Sequence, residues 1–237
     1  MHYRIGTRGS KLALVQSEYV KRRMEEAYPE DTFELVIIKT TGDKVTDKPL
    51  AAIGTKGLFV KEIEEALLSG SIDMAVHSMK DMPAECEAGL TFAKAWKRED
   101  CRDVLILKNA GSFSELPLGA VIGTGSLRRA CQLAMLRSDI QFTAIRGNVD
   151  TRINKLMDDS YGLDGIVLAA AGLNRLGRSS EITEYLDPEV VIPAPAQGVL
   201  AIETAEVNTE LLDKINALSD DNSDREAVAE RTCLRLT

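Results

Sequence analysis

Residues 72–81 read Ile-Asp-Met-Ala-Val-His-Ser-Met-Lys-Asp. Ile72 to Val76 alternate as a strand does, and the run closes on Ser78-Met79-Lys80-Asp81. An acid beside a lysine is thereby predicted at the C-terminal end of a strand. In open α/β sheets that edge gathers ligands, because strand ends and helix N-termini converge there. Three further strand-to-loop junctions carry arginine: 122–129, 145–152 and 170–175. Together they describe a site for a poly-anionic ligand with one carboxylate at its centre.

Outward from this stretch, strand-like and helix-like segments alternate, which predicts α/β layers with largely parallel sheets. Residues 2–6 read as a strand and 7–10 as a loop. A helix follows to Ala27, capped by Ser10 and closed before Pro29. Glu34 to Lys39 is the next expected strand, and the polar stretch to Gly57 is expected to be mobile. Lys61 to Leu68 is predicted helical, with Phe59, Ile63, Ala66 and Leu67 on one face and Gly70 at its end. A second unit begins near residue 100. It contains a strand at 120–122, a helix to Arg137 with Leu127, Ala130, Cys131 and Ala134 inward, a strand at 140–145, a helix from Val149 and a buried strand at 165–170. Ile5-Gly6-Thr7-Arg8-Gly9-Ser10 and Ile122-Gly123-Thr124-Gly125-Ser126 echo each other, each linking a strand to a helix. Two helix N-termini with free N–H groups suit anions. Pro193 to Gly198 reads as a crossover before a strand at Val199 to Glu203, a topology suited to hinge closure.

Composition narrows the function. The 237 residues suffice for about two domains. A hydrophobic content of 44% with 28% charged residues is that of a soluble globular chain. Aromatics at 5% and a net charge of −8 argue against nucleic acid and anionic membrane as partners. No apolar stretch reaches the ~18 residues a membrane span needs. Met1 leads straight into the first strand without a signal-peptide pattern. Cys86, Cys101, Cys131 and Cys233 lack C-x-x-C spacing, so a reducing, cytoplasmic setting is expected. With only His2 and His77, neither a metal centre nor a histidine triad is expected.

Arg8, Arg128, Arg129, Arg146, Arg152 and Arg175 all fall at or just after strand ends. Guanidinium groups bind carboxylates through paired planar hydrogen bonds, so the set suits several carboxylates at once. Arg128-Arg129 is the most informative pair, since cations in a helix's first turn oppose its dipole unless an anion is bound. Asp81, among such cations, is expected to stay ionised, to hold an N–H group and to stabilise a developing positive charge.

These residues resemble the porphobilinogen deaminase (hydroxymethylbilane synthase) family of tetrapyrrole biosynthesis. The resemblance runs through I-G-T-R-G-S (5–10), K-G-L-F-V-K-E (56–62), A-V-H-S-M-K-D (75–81), G-S-L-R-R (125–129), I-R-G-N-V-D-T-R (145–152), A-A-A-G-L-N-R-L (169–176) and P-A-Q-G (195–198). It implies a two-lobed fold like that of type II periplasmic binding proteins, with a hinge cleft and a small third α+β domain. Domain 1 would take 1–96 and 199–216, domain 2 would take 97–198, and 217–237 would start domain 3. The implied activity is that of a transferase, which condenses four porphobilinogen molecules head to tail with release of ammonia. The chain grows on a covalently held dipyrromethane cofactor. Asp81 would be the catalytic carboxylate. Arg8, Ser10, Lys80, Thr124, Ser126, Arg128, Arg129, Arg146, Arg152 and Arg175 would hold acetate and propionate groups, with Ser78 and Gln197 in the same binding set. Lys56 and Phe59 would belong to a lid. The implied partners are porphobilinogen and oligopyrrole carboxylates, acting on a cytoplasmic monomer.

Three departures stand out. Cys101 replaces an expected proline, and Ala196 replaces a common glycine before Gln197. The family's cofactor cysteine lies in a Gly-Gly-Cys loop that residues 1–237 do not contain. Cys233 is expected to pack within its helix rather than substitute for that anchor. The expectation is therefore a cleft without its covalent anchor, inactive by itself, with a terminal helix that is loose or docked elsewhere. The alternative is a cytoplasmic anion-binding or sensor module of the same fold.

Overall fold

The computed structural model describes residues 1–41 and 60–236. The expected mobile stretch, Lys56 and Phe59 lie outside the described residues. The chain divides into two compact units, Met1–Glu99 with Val199–Thr237, and Asp100–Gly198.

The first unit is built on β1 (His2–Thr7), α1 (Lys11–Ala27), β2 (Thr32–Ile37), α2 (Lys61–Leu68), β3 (Met74–Ser78) and β4 (Leu90–Phe92). The second contains β5 (Asp103–Leu107), β6 (Val121–Gly123), α3 (Leu127–Leu136), β7 (Gln141–Thr143), α4 (Val149–Met157), β8 (Gly165–Ala169), α5 (Ala170–Arg175) and β9 (Glu184–Tyr185). The chain then re-enters the first unit with β10 (Leu200–Ala205), α6 (Thr209–Asn216) and α7 (Asp221–Leu236).

The two sheets share one topology. Their orders are β2-β1-β3-β10-β4 and β7-β6-β8-β5-β9. In each, the first three strands are parallel, and the fourth runs antiparallel to both its neighbours. The sheets are thus mixed rather than largely parallel. The antiparallel strands are β10 and β5, and each is the first strand formed after the chain passes from one unit to the other. Alternation sorts the side chains of both sheets. In the first, Tyr3, Ile5, Met74, Val76, Leu200 and Ile202 meet α1 and α6, while Ala75 meets Ile63 and Leu67 of α2. In the second, Leu105, Leu107, Ile122 and Val167 meet Leu133 of α3; Val104, Ile106, Ile166 and Leu168 meet Ile153, Leu156 and Leu173 on the other side.

This layering creates the ligand edge. From β1 the chain crosses to β2 on one side and, past α2, to β3 on the other. The helices fall on opposite faces, and the carboxyl ends of β1 and β3 part at a switch point. The second unit repeats the arrangement at β6 and β8. The echoed motifs after β1 and β6 therefore stand at equivalent places in the two units.

The buried face of α3 differs from expectation. Leu127 is 82% exposed and Cys131 is also exposed, while Arg129 and Leu133 are the buried residues. The helix is turned by a polar partner, Asp103, which draws Arg129 inward at 2.7 Å. Terminal α7 docks on its own unit. Asp224 accepts from the Ala95 N–H at 2.8 Å, Ser223 accepts from the Arg98 N–H at 2.9 Å, and Arg98 forks onto Glu230 at 2.7 and 3.0 Å.

Candidate active site

In the first unit, β3 ends at Ser78 and turns through a short 3-10 segment, Met79–Asp81. Met79 and Met82 are buried, so this turn is pinned at both ends and lifts Lys80 and Asp81 outward between them. The Met79 N–H donates to the Val199 carbonyl at 3.0 Å. Ser78 Oγ accepts from the Gln16 amide of α1 at 3.1 Å. Asp81 is exposed and Lys80 half-buried.

Arg8 follows β1 at the same edge, half-buried, beside Ser10. The Ser10 hydroxyl caps α1 by accepting from the Ala13 N–H at 3.3 Å.

A residue that sequence reasoning left out braces this turn. Arg231 of α7 donates to the carbonyls of Met82 and Ala84 at 3.1 Å each, and to that of Pro83, with its guanidinium over Phe92. Burial lowers its pKa. We expect Arg231→Met to cost about 1–2 kcal/mol, since three carbonyls lose a charged donor. Amide exchange should rise first in 79–86, and unchanged protection there would refute the bracing role.

Behind the turn lies a buried pair that was also missed. His77 Nε2 stands 3.3 Å from Glu203 Oε2, and the Cys86 thiol donates to Glu203 Oε1 at 3.4 Å. Burial, reinforced by the Glu203 charge, pushes the Cys86 thiol up to about 12, which leaves it inert as a nucleophile at neutral pH. Cys233 is exposed rather than packed, because α7 buries only Ser223 and Ala227.

In the second unit, Thr124 and Ser126 follow β6 and shape the turn themselves. Thr124 Oγ1 accepts from the Ser126 N–H at 3.2 Å, and Ser126 Oγ accepts from the Arg129 N–H at 3.5 Å. Arg129 is 6% exposed and gives its Nε and Nη2 to Asp103 Oδ1 at 3.0 and 2.7 Å. Arg128 Nη2 meets Asp103 Oδ2 at 2.7 Å, and Gln197 Nε2 donates to Asp103 Oδ1 at 2.9 Å and to the Cys101 carbonyl at 2.7 Å. Burial alone would push the Asp103 carboxyl up; the Arg129 charge and hydrogen bonds, then Gln197 and Arg128, outweigh it and hold the carboxyl low. The anion that the Arg128-Arg129 pair requires is thus partly internal. Its only sequence signal was an acid heading the apolar run Val104-Leu105-Ile106-Leu107.

Arg146 follows β7, and its Nη2 is buried with no hydrogen-bond acceptor among the described residues. Next to it, Gly147 holds φ 115, and a Cβ there would sit 2.7 Å from Thr151 Cβ, so the bend requires glycine. Arg152 Nε donates to the Gly147 carbonyl at 2.8 Å, and Arg175 Nη2 donates to the Gly198 carbonyl at 2.6 Å. The preceding crossover contains Ala196 at φ 57, the left-handed region that suits the glycine it replaces. Ala196→Gly should change stability by less than about 1 kcal/mol, because relieved strain offsets lost methyl burial and chain entropy. Ala196→Val should cost about 2 kcal/mol or more. Equal melting temperatures for the two variants would contradict this.

The two mixed sheets and their cation-bearing edges define an α/β protein of the type II periplasmic-binding-protein fold. Solved structures bear this out at the level of fold. The Bordetella pertussis BvgS periplasmic VFT2 domain aligns with TM-score 0.54 at 14% identity, over 98% of this chain and 92% of that one. The methionine binding protein MetQ aligns with TM-score 0.56 at 14% identity, over 97% and 94%. The sequence matches the porphobilinogen deaminase model, described as its dipyromethane cofactor binding domain, over residues 3–213. Porphobilinogen deaminase of Lachnospira eligens is 98% identical over all 237 residues, which cover 80% of that protein. The enzyme of Syntrophus aciditrophicus is 51% identical over 98% of this chain and 75% of its own length. The chain belongs to the porphobilinogen deaminase family, transferases of tetrapyrrole biosynthesis.

Proposed function

We propose that this chain supplies the catalytic and carboxylate-binding residues of a hydroxymethylbilane synthase, joining four porphobilinogen molecules head to tail with loss of ammonia. The observation that carries the reading is the buried Arg146 Nη2 without an acceptor, on a ligand edge that also holds Arg128. A buried cationic donor left unpaired is costly, and an incoming carboxylate satisfies it. The donor set fits a dipyrromethane with its acetate and propionate arms, since guanidinium forks match carboxylates. When bound, that group supplies the nucleophilic pyrrole carbon on which the chain is extended.

Asp81 acts on the incoming porphobilinogen. Its carboxylate accepts the pyrrole N–H and stabilises the cation that forms as the protonated side-chain amine leaves as ammonia. After the new carbon–carbon bond forms, a proton must leave the attacking carbon, and in this reading Asp81 takes it. Lys80 and Arg8 in one unit, and Arg128, Arg146, Arg152 and Arg175 in the other, hold carboxylates. Ser10, Ser78, Thr124, Ser126, Arg129 and Gln197 complete the edges, chiefly by fixing backbone and neighbours. Residues 217–237 are assigned to the start of a third domain. The reading includes a cytoplasmic monomer, in keeping with four scattered cysteines that lack C-x-x-C spacing.

None of the four cysteines is assigned as the covalent anchor. Calorimetric titration with free dipyrromethane carrying two acetate and two propionate groups should show binding that weakens about tenfold in Arg146→Met. The intact mass of the denatured chain after incubation with porphobilinogen should equal that of the bare polypeptide. Absence of binding would overturn the site. Pyrrole units surviving denaturation would place an anchor here, with exposed Cys233 first to be tested.

A further inference from the structure

Asp103 begins β5, is fully buried, and lies opposite Ala169, the last residue of β8. It therefore sits directly beneath the ligand edge of its unit. Because the two sheets share one topology, the equivalent position in the first unit is Leu200, opposite Ser78 at the end of β3. Leu200 packs with the α1 face, as Leu105 and Leu107 pack with the α3 face. One unit thus places leucine where the other places a carboxylate. A buried ion pair is no better for stability than well-packed apolar residues, and often worse. The carboxylate calls for another reason, and its partners provide one.

Arg129 is committed inward. Two of its nitrogens donate to Asp103 Oδ1, and the third, Nη1, donates to the Val167 carbonyl at 3.1 Å. The second oxygen, Oδ2, receives no well-aligned hydrogen bond but faces Arg128 Nη2 at 2.7 Å. Arg128 is also tied through Nη1 to the Ile192 carbonyl, and its side chain keeps 25% exposure. Two cations against one carboxylate leave a single positive charge in excess, and its exposed part is Arg128.

We propose that Asp103 is a positioning residue: neutralised and held by Arg129, it aims Arg128 at a ligand carboxylate, so that Arg128 is the ligand-binding member of the pair. This rests on the carboxylate-binding reading above. The geometry gives the two adjacent arginines different tasks, which their sequence does not distinguish.

The test is a double-mutant cycle on affinity for the same free dipyrromethane, with thermal unfolding in parallel. Asp103→Asn should weaken binding about tenfold in the unsubstituted chain and cause no further loss in an Arg128→Ala chain. Should Asp103→Asn fail to fold, Asp103→Leu with Arg129→Leu restores the apolar solution of the first unit. That variant should melt no lower than the unsubstituted chain yet bind about tenfold more weakly, again with no further loss once Arg128 is Ala. Equal losses with and without Arg128, or full affinity in the leucine pair, would overturn the assignment. Failure of the unsubstituted chain to bind at all would instead overturn the carboxylate site on which it rests.

Discussion

Replacing Asp81 by Ala, in this chain joined to the part of the Lachnospira eligens relative outside the 80% that it matches, lowers porphobilinogen condensation about a thousandfold. The effect should fall on kcat far more than on KM. Asp81 is a single exposed carboxylate raised on a turn between buried Met79 and Met82, so its removal leaves the turn in place. Carboxylate arms still bind, while the substrate loses the only acidic group on the 79–81 turn to face its developing cation. Asp81→Asn should be nearly as slow, since it can accept a hydrogen bond but carries no charge. Single-turnover kinetics with a parallel binding titration separate the outcomes. Loss of binding with little loss of chemistry per bound substrate would favour a sensor-like anion module over the transferase reading.

The second large effect is on stability. Asp103→Ala strands the buried Arg129 guanidinium without its carboxylate and should cost about 3–5 kcal/mol, read by denaturant unfolding. Its dependence on pH follows from the depressed carboxyl. A group whose folded pKa lies below its unfolded value of about 3.9 contributes fully above that value, and the contribution disappears as pH falls through the lower folded one. The gap between parent and variant should therefore be constant through neutrality and close only below about pH 4. A gap that instead narrowed between pH 7 and pH 5 would mean that another group controls the site. Asp103→Asn should be milder, because the amide oxygen still accepts from Arg129.

Much of the candidate site was legible because strand ends announce themselves locally. The run 72–81 has its alternation and its terminal acid within ten residues, and the Ser10 cap is visible beside the helix it begins. β4 and β9 were not anticipated: three and two residues long, they lack the glycine- and arginine-bearing motifs that follow the equally short β6 and β7. The five-residue β5 had an apolar pattern, yet its charged first residue beside Arg102 reads as part of a solvated run.

By itself, the sequence determined the element types along most of the described chain, the loops that carry charge and, through its ordered motifs, the family. These are local properties, set by side-chain periodicity, by capping and by the conformational needs of glycine. Tertiary structure alone decided three others. β10 and β5 run antiparallel, because a strand's direction depends on where the chain re-enters a sheet and not on its own residues. Arg231, 147 residues or more from the carbonyls it braces, has no local signal at all. Arg128 and Arg129 differ in burial because α3 is turned by a carboxylate 26 residues from Arg129 in sequence. Ion pairing at such separations depends on which side chains the sheets bring together, and no window along the chain contains that information.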